Sequence, residues 1–400
     1  MIYGKVIAFV LGLSLVFGAF YVLASYDGDV VIDVKFTDEM FIDDMDPVNS
    51  KPGTGEYQLS SGTYFDKDSS ILLLNGTVDY AVINDALKAT GSERSDVVKV
   101  IARPGTVIKD YKDEDISRGT FENMISATMI DLRNADTSGM RDMSNMFRYC
   151  ESLKILNLDG LDTGRVTSME SMFRDCTKLS RLDLASFDTS KVQDMESMFR
   201  SMAGLKDVYL GSGFDTSRVK DMSSMFKDCI NITSLDLSML RMSSVTTANN
   251  MFDNCSKLSY VKFGTNIGST ALCDMSSMFY KCGNLASIDL SGFNTSKVSD
   301  MSSMFEGCCS LSVVNITGFE SAKLSDVSRM FAGCSGIRKI ISGTRFDLSA
   351  VRYSELMFSD CLNLNGGNGT SYDYVHLDKV FAHADGGSSN PGYFMLENNK

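Results

Sequence analysis

The hexapeptide Asp-Met-Ser-Ser-Met-Phe occurs three times without change, at Asp221–Phe226, Asp274–Phe279 and Asp300–Phe305. Taking the phenylalanine as a register mark, the series runs Phe147, Phe173, Phe199, Phe226, Phe252, Phe279, Phe305, Phe331 and Phe358, always 26 or 27 residues apart. A repeat at this fixed phase constrains the chain more than any other feature. One such unit cannot bury its own apolar face, so the units must stack. Weaker units around Phe121 and Phe381 fit the two ends of an array, where one side meets water.

Each unit carries two periods. Leu182-Asp183-Leu184 alternates apolar and polar, the pattern of a strand with one buried face. Met195, Met198 and Phe199 are spaced i, i+3, i+4, which predicts one face of a short helix. Asp194 precedes it, and Asp142, Asp221, Asp274 and Asp300 hold the same station, where a carboxylate accepts from the first N–H groups of the turn. Phe187-Asp-Thr-Ser reads as the turn between strand and helix. Three units are one residue longer, and each carries a glycine just after the strand: Gly211, Gly264 and Gly343. Insertions confined to one turn mean that the buried stations are fixed in every coil. The expectation is an α/β solenoid of about ten coils, each with one parallel strand and one short helix, rising about 4.8 Å per coil on the strand side. Phe226 is expected in its core and the adjacent Lys227 on its surface.

Leu-x-x-Leu-x-Leu followed by Phe-Asp-Thr-Ser-x-Val-x-Asp-Met-Ser-x-Met-Phe-x-x-Cys resembles the leucine-rich repeats of BspA-type bacterial surface proteins. The resemblance runs from Phe121 to Phe381, about two thirds of the chain. It implies a leucine-rich-repeat solenoid in a secreted or surface-displayed interaction protein, often an adhesive one. Spacing by itself establishes only the solenoid.

Outside the repeat, Val6–Ala24 is apolar and uncharged, with Lys5 before it and Asp27, Asp29 and Asp33 after it. As a helix, residues 6–24 would nearly span a hydrocarbon layer of ~30 Å, and the charge asymmetry places the N-terminus inside. Residues 1–24 read either as a signal peptide cut before Ser25 or as an uncleaved anchor; both export the rest, and membrane contact is expected only through residues 6–24. Residues 25–112 do not repeat and read as a cap over the open edge of the first coil, with a helix over Val78–Ala89 capped by Thr77 and a strand over Val97–Ala102. The solenoid is assigned to residues 113–385 and a closing C-terminal cap to 386–400. No sorting motif is evident, so any attachment is expected at the N-terminus.

The charge balance, 38 basic against 51 acidic residues and a net −13, disfavours nucleic acid and anionic lipid surfaces. Eight of the ten cysteines stand three residues after the register mark: Cys150, Cys176, Cys229, Cys255, Cys282, Cys308, Cys334 and Cys361. The remaining unit has Met202 there, and a station that accepts Met is an apolar core station. Buried thiols are therefore expected, with disulfides as the alternative because exported proteins meet oxidising surroundings. Cys273 and Cys309 lie off this row and are expected to be exposed. The methionines of the motif read as core filling rather than a flexible groove. With only His376 and His383, both read as cap residues, and no phosphate-binding glycine loop, no enzymatic activity, cofactor or metal is expected. Asn75, Asn231, Asn315 and Asn368 open glycosylation triplets, a weak signal.

The outward strand stations vary instead of repeating. Asp131, Asn157, Asp183, Tyr209, Asp236, Lys262, Asp289, Asn315 and Ile341 form one row; two residues earlier, Ile155, Arg181, Asp207, Ser234 and Tyr260 belong to another on the same face. Arg181, Asp183, Asp207, Tyr209, Asp236, Tyr260 and Lys262 mix aromatic rings with charges of both signs, and Tyr and Arg are favoured binding anchors. The expected ligand is a protein or glycan on host or neighbouring cells. The alternatives are a merely solvated face on a structural envelope component and, third, an enzyme.

Overall fold

The computed structural model describes residues 20–26, 29–35, 62–113, 116–264, 267 and 271–397. It divides into two compact units, Met1–Leu59 and Ser60–Lys400. In the first, β1 (Phe20–Tyr26) pairs antiparallel with β2 (Asp29–Lys35), from Phe20 opposite Lys35 to Tyr26 opposite Asp29. Residues 6–19 of the apolar run lie outside the described residues. Its last five, Phe20–Ala24, are strand and not helix, because aromatic and β-branched residues on both sides favour pairing. Among the described residues no helix is long and apolar enough to cross a membrane.

The second unit is the solenoid. It opens with β3 (Tyr64–Asp66), β4 (Ile71–Leu74), β5 (Thr77–Val78), α1 (Tyr80–Ala89), β6 (Lys99–Ala102) and β7 (Thr106–Ile108), then the small antiparallel pair β8 (Lys112–Asp113) and β9 (Ile116–Ser117). The coils continue through β10 (Met129–Asp131), β11 (Ala135–Asp136), β12 (Ile155–Asn157), β13 (Arg181–Asp183), β14 (Asp207–Tyr209), β15 (Ser234–Leu237), β16 (Tyr260–Phe263), β17 (Ser287–Asp289), β18 (Val313–Ile316) and β19 (Lys339–Ser342). The last strand is β20 (Phe394–Leu396). The strands join in the orders β12-β10-β6-β4-β3, β13-β14, β15-β16 and β17-β18-β19-β20, and only β3 is antiparallel to its neighbour. Ile71 faces Lys99, Lys99 faces Met129 and Met129 faces Ile155, so the sheet reaches back to Ile71, well before the sequence repeat begins. Helix α1 is capped by Asp79, whose carboxylate accepts from the Val82 N–H at 2.9 Å, two residues past the Thr77 cap expected from sequence.

A second row of parallel bridges runs without a break from Asp142 through Ser168, Asp194, Asp221, Thr247, Asp274, Asp300 and Asp326 to Tyr353. This is the Met-Phe motif, and its conformation differs from the short helix that its spacing predicts. The N–H groups of Ser224, Phe226 and Asp228 donate to Asn249, Met251 and Asp253 of the next coil, while those of Met225, Lys227 and Cys229 close tight turns on Met222, Ser224 and Phe226. Ser224 and Asp228 sit at φ of 56° and 63°, left-handed values that no right-handed helix contains. Two turns with inward Met222, Met225 and Phe226 bury the same i, i+3, i+4 set as a helix would, and they also free alternate N–H groups to bind the next coil.

The core is a strip along the stack. Phe121, Phe147, Phe173, Phe199, Phe226, Phe252, Phe279, Phe305, Phe331 and Phe358 lie ring on ring, with neighbouring centroids 4.9–5.9 Å apart and planes within 22°. Such offset stacking adds to the burial of each ring. At the first end, the buried Arg94 ties α1 to the first phenylalanine coil: it donates to the carbonyls of Thr120, Glu122 and Tyr80 and to Asn84 Oδ1. At the other end, fully buried Tyr393 meets Phe358 edge-on at 5.1 Å, and β20 continues the sheet beside β19. Lys227 is only a quarter exposed and pairs with the buried Asp253 at 2.5 Å, so it is not the free surface residue expected.

Candidate functional site

The outward face of β13–β16 holds all seven residues singled out by sequence. Register places Arg181 opposite Asp207, Asp183 opposite Tyr209, Ser234 opposite Tyr260 and Asp236 opposite Lys262. Both cations are paired across strands: Arg181 Nε lies 3.4 Å from Asp207 Oδ2, and Lys262 Nζ lies 3.1 Å from Asp236 Oδ2. These pairs are solvent-exposed, so each contributes at most about 1 kcal/mol. Tyr209 and Tyr260 remain 63% and 54% exposed, while the residues between them, such as Leu235 and Val261, point into the core.

The middle row also has a structural task that sequence reasoning missed. Asp131, Asp183, Asp236, Asp289 and Asn315 each accept, through Oδ1, the backbone N–H two residues on, at Arg133, Ala185, Ser238, Ser291 and Thr317. The side chain thereby closes the turn that ends the strand. The hydrogen bonds from Ser238, with help from Lys262, hold the Asp236 carboxyl below its usual range against the opposing effect of burial. The stations without Asp or Asn are Tyr209, Lys262 and Ile341, which belong to the three longer coils. There a glycine follows the strand and lies close against the preceding coil: a Cβ would stand 2.5 Å from Ala185 Cα at Gly211, 2.5 Å from the Ser238 carbonyl at Gly264 and 2.2 Å from the Thr317 carbonyl at Gly343. Coil length is the signal that could have revealed this. In the longer coils the middle station is released from turn closure and is open to other chemistry.

The cysteine row is part of the frame. Eight thiols are buried, and each Sγ lies 3.0–3.2 Å from the carbonyl oxygen of the register phenylalanine one coil back, as Cys229 does with Phe199. Burial pushes the Cys150 thiol up to about 12 and raises the others likewise. Cys273 and Cys309 are exposed. His376 Nδ1 pairs with Asp373 Oδ2 at 2.6 Å and its ring stacks on Phe381, within the C-terminal aromatic cap; His383 contacts the Ala384 carbonyl. The Asn231 amide is occupied, donating to the Ala203 carbonyl and accepting from Lys257, and Asn368 donates to the Asp385 carbonyl. Among the described residues no cluster of three or more His, Cys, Asp or Glu is placed to hold a metal.

These features define a leucine-rich-repeat type of solenoid, one parallel strand per coil, with a side-chain-bearing sheet face. Residues 116–209, 206–267 and 266–372 match the family described as Mycoplasma protein of unknown function, DUF285, and the chain belongs to that family. No curated protein matches the sequence. Similar solved structures include a leucine-rich repeat protein from Bacteroides ovatus, 15% identical over 88% of this chain and 81% of that one, with a TM-score of 0.45. Another from Eubacterium ventriosum is 13% identical over 78% and 88% of the two chains, with a TM-score of 0.36. The T. pallidum leucine-rich repeat protein is 18% identical over 56% and 86%, with a TM-score of 0.33.

Proposed function

We propose that this chain is an extracytoplasmic interaction protein that binds a protein or glycan on host or neighbouring cells through its sheet face, in an adhesive role. The observation that carries the reading is the pair Tyr209 and Tyr260, large rings left more than half exposed on strands that are each paired in parallel with the coil before. Solenoids use such extended faces for binding. The resemblance of the repeat to BspA-type surface proteins supports the same role, and the apolar run before Ser25 supports export. A full-length chain used as bait against matrix proteins, glycans and neighbouring-cell extracts is expected to retain a partner that a Tyr209→Ser, Tyr260→Ser chain does not. Protease added to intact cells is expected to degrade the repeats. Full protection until lysis would contradict surface display, and equal capture by both baits would contradict the assigned face.

A further inference from the structure

Resting on the sheet face as the binding surface, we propose that its ligand is a neutral oligosaccharide laid across Tyr209 and Tyr260. The two rings stand on β14 and β16, two coils apart, about 10 Å along the stacking direction at ordinary strand spacing. One pyranose ring cannot cover both, so the ligand is an oligomer. The inward residues of the face fill a closed core, so an apolar anchor finds rings to lie on but no pocket to enter. Sugar rings need only the former. Their C–H faces lie against the electron-rich face of a tyrosine, and their hydroxyls bond to nearby polar groups.

The polar groups fit that chemistry. Asp183 spends Oδ1 on the Ala185 N–H, and neither its Oδ2 nor the Ser234 hydroxyl has a hydrogen-bond partner among the described residues. Both can bond to sugar hydroxyls beside the tyrosines. The charges argue for a neutral ligand: Arg181 and Lys262 are each held by a carboxylate of the adjacent coil, and the chain as a whole is at −13, which repels sulfated or sialylated glycans.

The test is binding of the full-length chain to immobilised neutral hexose and N-acetylhexosamine oligomers, their sulfated and sialylated counterparts, and unrelated peptides. A neutral oligomer is expected to bind with less than about a twofold change in Kd between ~0.1 and ~0.5 M salt, a range over which exposed charge interactions are strongly screened. Tyr209→Ala with Tyr260→Ala is expected to weaken that binding at least tenfold at unchanged Tm, and Tyr209→Phe with Tyr260→Phe to keep it. Binding only to anionic glycans, lost with salt, or to no oligosaccharide at all, overturns the inference. A protein partner that needs both tyrosines, with no sugar bound, overturns the glycan assignment and leaves the sheet face standing. Sugar binding unaffected by the alanine pair removes both.

Discussion

The thiol of Cys229 reaches the carbonyl oxygen of Phe199, one coil back, at 3.0 Å. The same contact recurs along the stack, so the cysteines act as buried hydrogen-bonding members of the core. A buried thiol whose pKa is raised by desolvation has almost no thiolate to react. Brief alkylation of the folded protein near pH ~8 is therefore expected to add two labels, at Cys273 and Cys309, while denatured protein takes ten. Intact mass decides it. More than two fast labels would mean that the row is open, and a reduced total in denaturant would mean disulfides.

Phe226 is stacked between Phe199 and Phe252 and fully buried. Phe226→Ala is expected to cost about 3–5 kcal/mol in denaturant melts. Lys220 is exposed, and Lys220→Ala is expected to stay within about 0.5 kcal/mol of the parent. Equal losses would place the register phenylalanines outside the core.

Asp183 and Tyr209 are direct neighbours at the same station of adjacent coils, yet they are expected to respond oppositely to substitution. Asp183 closes its turn through the Ala185 N–H, so Asp183→Ala should cost about 0.5–2 kcal/mol. Tyr209 closes no turn, since its coil carries Gly211 at φ 69° just after the strand, and Tyr209→Ser should cost less than about 0.5 kcal/mol. A reversed order in thermal melts would contradict the link between coil length and middle-station freedom.

Asp385 holds the C-terminal cap. Its carboxylate accepts from the Asn368, Thr370 and Gly387 N–H groups and from Thr370 Oγ1. Burial alone would raise its pKa; these hydrogen bonds outweigh burial and bring it from 3.8 down to about 2. A depressed carboxyl stabilises the folded state above the unfolded pKa, and that stability is lost as pH falls from 3.8 toward about 2. Asp385→Asn is expected to lower stability at neutral pH by about 1–3 kcal/mol, with the gap to the parent closing across that window. A gap that stays constant down to low pH would show that the carboxylate charge is not what secures the loop.

The parts of the fold legible in sequence are those that recur. Strand rows, the phenylalanine stack and the buried thiols repeat at one phase, and each repetition tests the reading again. The stacked turns were hidden because Met222, Met225 and Phe226 satisfy a helical spacing and a double turn equally. The distinguishing sign lay in Asn145, Ser171, Ser197, Ser224, Asn250, Ser277 and Ser303, all at positive φ, since short polar side chains favour local backbone bonds over a helix interior. The coils at Ile71 and Lys99 lack the Met-Phe motif and are longer, so no periodicity announced them. In the candidate face, the outward rows and both tyrosines followed from strand alternation. The turn-closing task of Asp183 and Asp236 did not, because a recurring aspartate on an exposed station looks the same whether it meets water or its own backbone.

The most direct test of the sheet face is the affinity of a captured partner for the Tyr209→Ser, Tyr260→Ser protein, once its Tm is shown to match the parent. Both rings are exposed and neither closes a turn, so their loss should leave the fold intact and remove two binding anchors. The expected result is at least a tenfold loss of affinity. An affinity within a factor of two of the parent would contradict the assignment and return this face to plain solvated sheet.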